Sequence, residues 1–255
     1  MTENSYTATN AKVIDHWVKT GWQWGQPISH ETYQRAQAGG WKMLLTPTKP
    51  VPRNWFFPDM AGRQVLGLAS GGGQQMPLFA AMGAVGTVFD LSSAQLAGDR
   101  EVAAREQYPL TVVQGDMTQP LPFADASFDL ICQPVANCYI QDVLPLWREC
   151  ARILKPGGRL MVGLDNGLNY IVDEAEEKIA RGLPFDPIKD PELLAGKDVM
   201  EDGIQFSHTL ETQLRGQLQA GLQFVDMYED TNGDGRLDAL GIPSFWATLA
   251  EKKGA

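Results

Sequence analysis

The stretch VLGLASGGGQQMPLFAAMG, Val65–Gly83, decides the fold, because three kinds of sequence meet in it. RQVLGLAS (63–70) is a short apolar run suited to a buried strand, and it leads into three consecutive glycines. A helix follows, with Pro77 in its first turns and Gly83 as its stop. Glycines at a strand-to-helix turn let the backbone come close to a ligand, and the helix start offers unpaired N–H groups to anionic or polar atoms. Spacing alone does not name that ligand. The pattern G-x-G-x-x-G is met only awkwardly, and the Gly-Lys-Ser/Thr ending of a phosphate loop is absent.

Outward from this turn the alternation of strand and helix continues. GTVFDLS (86–92) reads as a second strand, and Ser92 with Gln95 forms a capping box for a helix through LAGDREVAAREQ. LTVVQGDM (110–117) and SFDLICQPV (127–135) read as the third and fourth strands. A helix over DVLPLWRECARIL (142–154) stops at Lys155, Pro156, Gly157 and Gly158, before a fifth strand RLMVGLD (159–165). Such alternation predicts an α/β fold with a doubly wound, mostly parallel sheet. Its ligands are expected outside the carboxyl ends of the strands.

Past residue 206 the pattern changes. SHTLETQLRGQLQAG (207–221) reads as a helix with Leu210, Leu214 and Leu218 on one face. LQFVDMYE (222–229) and SFWATLAEK (244–252), joined by a polar loop without a crossover helix, predict an antiparallel pair and a reversed last strand. Two segments stand outside this core. Residues 1–60 hold Trp17, Trp22, Trp24, Trp41 and Trp55 and are expected to form an N-terminal lid; residues 166–206 are expected to form a second lid, inserted in a single domain over 61–255.

Composition bounds the function. With 44% apolar and 20% charged residues among 255, the chain is expected to fold as an ordinary globular protein. A net charge of −10 without a Lys/Arg cluster disfavours nucleic acid and anionic membrane as partners and makes a small molecule the default. No apolar run reaches the length of a membrane span, and the polar N-terminus lacks an export pattern, which predicts a cytoplasmic protein. Cys132, Cys138 and Cys150 fit neither a zinc site nor a disulfide framework and read as reduced, buried residues. A homodimer stays open.

Two carboxylates follow the glycine turn. Asp90 ends the second strand, 19 residues after Gly71, where it can accept both hydroxyls of a ribose; Asp116 ends the third. With them, VLGLASGGG, VFDLS, VVQGDMTQPLPFADASFDLI and ARILKPGGRLMVG, in this order, resemble the successive motifs of the class I S-adenosylmethionine-dependent methyltransferases over residues 62–165. The resemblance implies a seven-stranded Rossmann-like sheet with a reversed last strand, S-adenosyl-L-methionine as cofactor, and methyl transfer to a small-molecule acceptor. It assigns Gly71 and Gly73 to the stretch beneath the cofactor, Asp90 to the ribose, Leu91 to the adenine side, and Asp116 with Met117 to the adenine pocket. Gln133 and Pro134 fall beside the methyl group. This chain departs from the family at Gly67, where an acidic residue is usual, and at Ala69, which stands for the first glycine. Gln74, Gln75 or the N-terminal segment are then candidates for holding the methionine amino group.

Other constellations have bland and functional readings. DTNGDGRLDALG, from Asp230, places Asp230, Asn232, Asp234, Gly235 and Asp238 as an EF-hand loop would, but Gly241 stands where a bidentate Glu is needed. It reads first as a turn-rich connection, and no metal site is expected. His30, His208 and Asn137 are the candidates for a catalytic role, with Asp165 and Asn166 also on the ligand side of the sheet. The tryptophans of residues 17–55 either wall an aromatic or cationic acceptor or dock the segment on the sheet. Two alternatives to a methyltransferase share the same strand-turn-helix: an NAD(P)-dependent oxidoreductase, and a non-catalytic protein that binds S-adenosylmethionine or S-adenosylhomocysteine.

Overall fold

The computed structural model describes residues 5–254. Along the chain lie α1 (Tyr6–Lys19), α2 (His30–Gln37), β1 (Gln64–Leu68), α3 (Gln75–Ala81), β2 (Val85–Asp90), α4 (Ser93–Glu106), β3 (Leu110–Gln114), β4 (Phe128–Gln133), α5 (Leu144–Ile153) and β5 (Leu154–Asp165). Two short helices, α6 (Leu168–Ile171) and α7 (Val199–Asp202), precede a π-helical turn (Glu211–Arg215) that runs into α8 (Gly216–Gln219). β6 (Leu222–Asp230), the short α9 (Gly235–Ala239) and β7 (Phe245–Lys252) complete it.

One seven-stranded sheet has the order β3-β2-β1-β4-β5-β7-β6. Neighbours from β3 to β5 pair parallel, and β7 is antiparallel to both β5 and β6, so only the last strand is reversed. β1 and β4 flank the point where the strand order reverses, which puts the crevice at the carboxyl ends of these two strands. The strands of the centre are continuously apolar because helices cover both faces: Val65, Leu66 and Leu68 of β1 and Leu130, Ile131 and Cys132 of β4 are all fully buried. Trp147 of α5 fills the core on one face and Phe79 of α3 on the other. All three cysteines are buried and unpaired.

Several expectations shift. LKPGG does not break the chain between α5 and β5: α5 ends at Ile153, and β5 already begins at Leu154 with an irregularity against β4. The helix after residue 207 starts later and does not show the leucine face. Leu210 is 59% and Leu218 50% exposed, whereas Gln213 and Gln217 are fully buried. The π-turn over 211–215 is the cause, since it widens the helix locally and rotates everything beyond it away from 3.6-residue spacing.

The N-terminal segment is only partly a lid. Met43, Leu45, Val51, Trp55, Phe56 and Met60 belong to the core on the α3 side. Trp55 is fully buried and donates from Nε1 to Asp226 of β6 at 2.8 Å. Trp41 packs edge-on against Phe56 beneath the Arg53 guanidinium. The parts that cover the crevice are α1, the turn at Trp22–Trp24, and Leu44–Pro47, held to the sheet end by the Val135 N–H, which donates to Leu45 O at 3.1 Å.

Candidate active site

At the end of β1 the chain turns sharply. Ala69 has φ +47°, in the left-handed region that usually demands glycine, and Gly72 and Gly73 follow with φ +91° and +66°. The backbone here packs tightly on α4: a Cβ on Gly71 would lie 2.5 Å from Gln95 Cβ, and one on Gly73 would lie 2.9 Å from Gly98 O. Close packing of the turn on the next crossover helix is therefore one reason for the glycines. Gly71 faces the crevice, whereas Gly73 is turned toward α4 and accepts the Ile28 N–H. At Gly67 a side chain has no room, because its Cβ would meet Met76 Sδ at 2.6 Å.

Asp90 is the hinge of the site. Its Oδ2 accepts from the Gly71 amide at 3.0 Å, and Oδ1 accepts from the Ser92 amide at 2.9 Å. Burial pushes its pKa up to about 6, against the pull of these amides. The capping box forms only in part: Ser92 Oγ accepts from Gln95 N at 3.1 Å, but Asp90 takes the Ser92 amide that Gln95 would otherwise hold. Gln95 Oε1 is left buried and without a partner.

Two joined chambers open here. The narrower one is walled by Phe89, Leu91, Met117 and Ile140, with Asp90 and Asp116 as its carboxylates and Ile14 and Trp22 closing it from the N-terminal side. Asp116 Oδ1 accepts from Thr118 N at 2.9 Å. The larger chamber, of about 440 Å³, is bounded by Gly71, Gln75 and Asp165 below and by Trp24, Leu44, Tyr170 and Lys197 above. Trp22, Ala69, Gln95, Val135 and Tyr139 line both. Residues from the N-terminal segment and from the 166–206 insertion thus roof one continuous space.

Most residues singled out from the sequence meet in this space, and some do not. Ala69, Gly71, Gln75, Asp90, Leu91, Asp116 and Met117 line one chamber or the other. Gln133 and Asn137 lie beneath it, in a buried relay: Gln133 Nε2 donates to Asn137 Oδ1 at 2.8 Å, and Asn137 Nδ2 donates to Gln213 Oε1 at 3.1 Å. His208 is buried beside them and donates from Nε2 to Asn137 O at 2.9 Å; burial holds its pKa below the ordinary range. His30 lies outside the chambers, at the surface start of α2, with Nδ1 2.8 Å from Glu106 Oε2. Gln74 donates to Gln23 O and Gln26 O and so fastens the N-terminal turn. Sequence reasoning missed Tyr139, Tyr170, Lys197 and Gln95, because nothing in their local spacing reveals which of them the two covers bring to the crevice.

The Asp230 loop is structural. Asp230 accepts from the Thr48 and Lys49 amides, and Asp238 accepts from the Gly233 amide, while Asn232 exchanges bonds with Asn169. Asp230 thus holds the chain at Thr48–Lys49 and Asn232 holds Asn169, while Asp238 closes the loop on itself. Among the described residues no three His, Cys, Asp or Glu side chains gather as a metal site would require, and no helix is long and apolar enough to cross a membrane.

Comparison with known proteins agrees with this geometry. Residues 66–162 match the methyltransferase-domain family. The chain is 39% identical over 240 residues to YbaJ of Bacillus subtilis (strain 168), described as an uncharacterized methyltransferase, with 90% of this chain and 92% of that one covered. A demethylmenaquinone methyltransferase of Corynebacterium glutamicum (strain R) is 39% identical over 103 residues, or 40% of this chain and 41% of its own length. Among solved structures, an S-adenosylmethionine-dependent methyltransferase from Mesorhizobium loti superposes with a TM-score of 0.61 at 23% identity, over 78% of this chain and 95% of that one. The fold, the glycine turn and these relatives together place the chain in the class I S-adenosylmethionine-dependent methyltransferase family.

Proposed function

We propose that this methyltransferase holds S-adenosylmethionine across the joined chambers and methylates a small molecule enclosed in the larger one. The observation that carries the reading is the roof: a chamber of about 440 Å³ covered by two separate parts of the chain suits a small acceptor better than a macromolecular surface. The residues fit the cofactor. Asp90, already oriented by the Gly71 and Ser92 amides, keeps free lone pairs for ribose hydroxyls. Asp116 has Oδ2 available for an adenine amine, with Leu91, Phe89 and Met117 as apolar walls. With no acidic side chain at Gly67, the unpartnered Gln95 Oε1 is the group we assign to the methionine end.

When bound, S-adenosylmethionine supplies a methyl group on a sulfonium, an already activated leaving group. The chain's contribution is then to orient the acceptor and exclude water, which the two covers accomplish. Asn137, Gln133 and His208 act below the floor as positioning residues for the end of β4. His30 has no part in the reaction.

Calorimetric titration with S-adenosylhomocysteine, with NAD as control, tests the reading. Saturable binding of S-adenosylhomocysteine alone is expected. Binding of NAD instead would restore the oxidoreductase alternative. Binding of S-adenosylhomocysteine without methyl transfer to any member of a broad acceptor screen would favour a non-catalytic binding protein.

A further inference from the structure

Among the described residues, Asp165, the last residue of β5, is the carboxylate that lines the larger chamber. It is 4% exposed. Oδ1 accepts from the Gly167 amide at 3.0 Å, but Oδ2 is buried and has no hydrogen-bond partner. Lys197 lines the same chamber without pairing with it; the ammonium sits 5.6 Å from the centroid of the Phe185 ring instead. A carboxylate withdrawn from water in this way is costly, and burial pushes its pKa up to about 6. An uncompensated acid facing a cavity indicates that the partner arrives with the ligand.

Several other polar groups in that chamber are already engaged, and the open Gln95 Oε1 is assigned above to the methionine end. Gln205 accepts from the Tyr170 hydroxyl at 2.9 Å and donates to Asp202 O. Asn169 is bonded in both directions to Asn232, and Thr46 donates to the Tyr228 hydroxyl. The chamber that Asp165 lines also carries the aromatic side chains of Trp22, Trp24, Tyr139, Tyr170 and Phe245. One carboxylate among aromatic rings favours a cation. Beside Asp165 itself a carboxylate would be repelled and an alcohol would leave the buried charge uncompensated, while Lys197 is the cation of the same chamber that an acidic probe would meet instead.

The position also separates Asp165 from the methionine end of the cofactor. In the order β1-β4-β5 the end of β5 is two strand spacings, or about 10 Å, from the glycine turn after β1. The methyl group is expected between the two, at the end of β4.

We propose that Asp165 binds the amine nitrogen of the methyl acceptor, so that the substrates of this enzyme are small amines with an apolar or aromatic body. The inference rests on the methyltransferase reading above. An alkylammonium seated on Oδ2 is neutralised there, and the aromatic walls hold its body. Transfer of one proton breaks an N–H bond and forms an O–H bond at Oδ2; the ammonium becomes the neutral amine, whose lone pair is the nucleophile.

The test uses the full chain saturated with S-adenosylhomocysteine and matched probes that share a skeleton: 2-phenylethylamine, 2-phenylethanol and phenylacetate, with methyl-, propyl- and indolylethyl-bearing trios for other body sizes. Binding is read by calorimetry for the wild type and for Asp165→Asn, which keeps an acceptor for the Gly167 amide. At least one amine should bind tenfold or more tightly than its alcohol and acid counterparts. That preference should vanish in Asp165→Asn while the affinity for S-adenosylhomocysteine stays within about threefold of wild type. If no amine is preferred, including when no probe binds, the proposal fails. It fails equally if Asp165→Asn retains the preference. Loss of S-adenosylhomocysteine binding in the variant alone would assign Asp165 to the cofactor and overturn the proposal, whereas no such binding by the wild type would overturn the methyltransferase reading itself.

Discussion

The Gly71 amide donates to Asp90 Oδ2 across 3.0 Å, joining the turn after β1 to the end of β2. The second oxygen takes the Ser92 amide, so a single carboxylate sets the glycine turn and the start of α4 at once, and in the proposed function it also receives the ribose. Asp90→Ala should weaken S-adenosylhomocysteine by at least about tenfold, or about 1.4 kcal/mol. Asp90→Asn should also weaken it, because an amide offers one acceptor where two amides need one each. Calorimetry on both variants checks this, and unchanged affinities would remove Asp90 from the cofactor site.

Ala69 carries a left-handed backbone conformation, φ +47°, of the kind glycine adopts most readily. Such a conformation costs an L-residue about 1–2 kcal/mol, and the looser unfolded chain of a glycine variant returns about 0.4–1 kcal/mol of that. Ala69→Gly is therefore expected to be neutral or to stabilise by up to about 1.5 kcal/mol. Ala69→Val should be clearly destabilising, since a β-branched side chain tolerates the conformation worse. Chemical denaturation of the two variants distinguishes backbone strain from a requirement for the methyl group.

Asp99 of α4 is fully buried beneath the glycine turn, and neither of its oxygens makes a hydrogen bond. Burial pushes its pKa up to about 8, against the dipoles of the nearby Gly73 and Gly72 amides. The unfolded chain releases this proton near pH 4, whereas the folded chain keeps it to about pH 8. The group's contribution to stability is thus fully present below pH 4 and is lost as pH rises toward 8, by at most about 1.4 kcal/mol per pH unit. Asp99→Asn should match the wild type near pH 4 and become progressively more stable than it up to pH 8. Urea denaturation across that range would show a constant difference if Asp99 does not titrate.

Asn10 ties the two covers together. Its Nδ2 donates to Ile204 O at 2.8 Å, and its Oδ1 accepts from the Ile204 amide at 2.8 Å. Trp17 adds a second tie by donating to Met200 O at 3.0 Å. Asn10→Ala leaves two buried backbone groups without partners and should cost about 1–3 kcal/mol locally. Limited proteolysis should then cut within residues 166–206 faster than in the wild type, and S-adenosylhomocysteine should slow that cutting. Equal cleavage rates would mean that the covers are held by other contacts.

Much of this was written in local sequence. Strand-turn-helix at Val65–Gly83, the apolar strands, Asp90 at the end of β2 and Asp116, which falls two residues past the end of β3 rather than within it, depend on short-range spacing, and the structure places both carboxylates at the crevice. The register of the helix after residue 207 was not legible, because a π-turn is one residue's worth of extra winding with no signature of its own. Nor was the dual role of the N-terminal segment. Trp22 and Trp24 face a cavity while Trp55 is buried in the core, and tryptophan content alone cannot separate them.

The sequence by itself determined the class of sheet, its reversed end and the two carboxylates of the narrower chamber, since neighbouring residues along the chain specify strand periodicity, turns and strand ends. Tertiary structure alone decided the larger chamber. Trp22 and Trp24, Tyr139, and Asp165 with Tyr170 come from three stretches far apart in the chain. Only packing brings an unpartnered carboxylate and aromatic faces into one chamber, and burial, which no local pattern encodes, is what gives that carboxylate its chemistry.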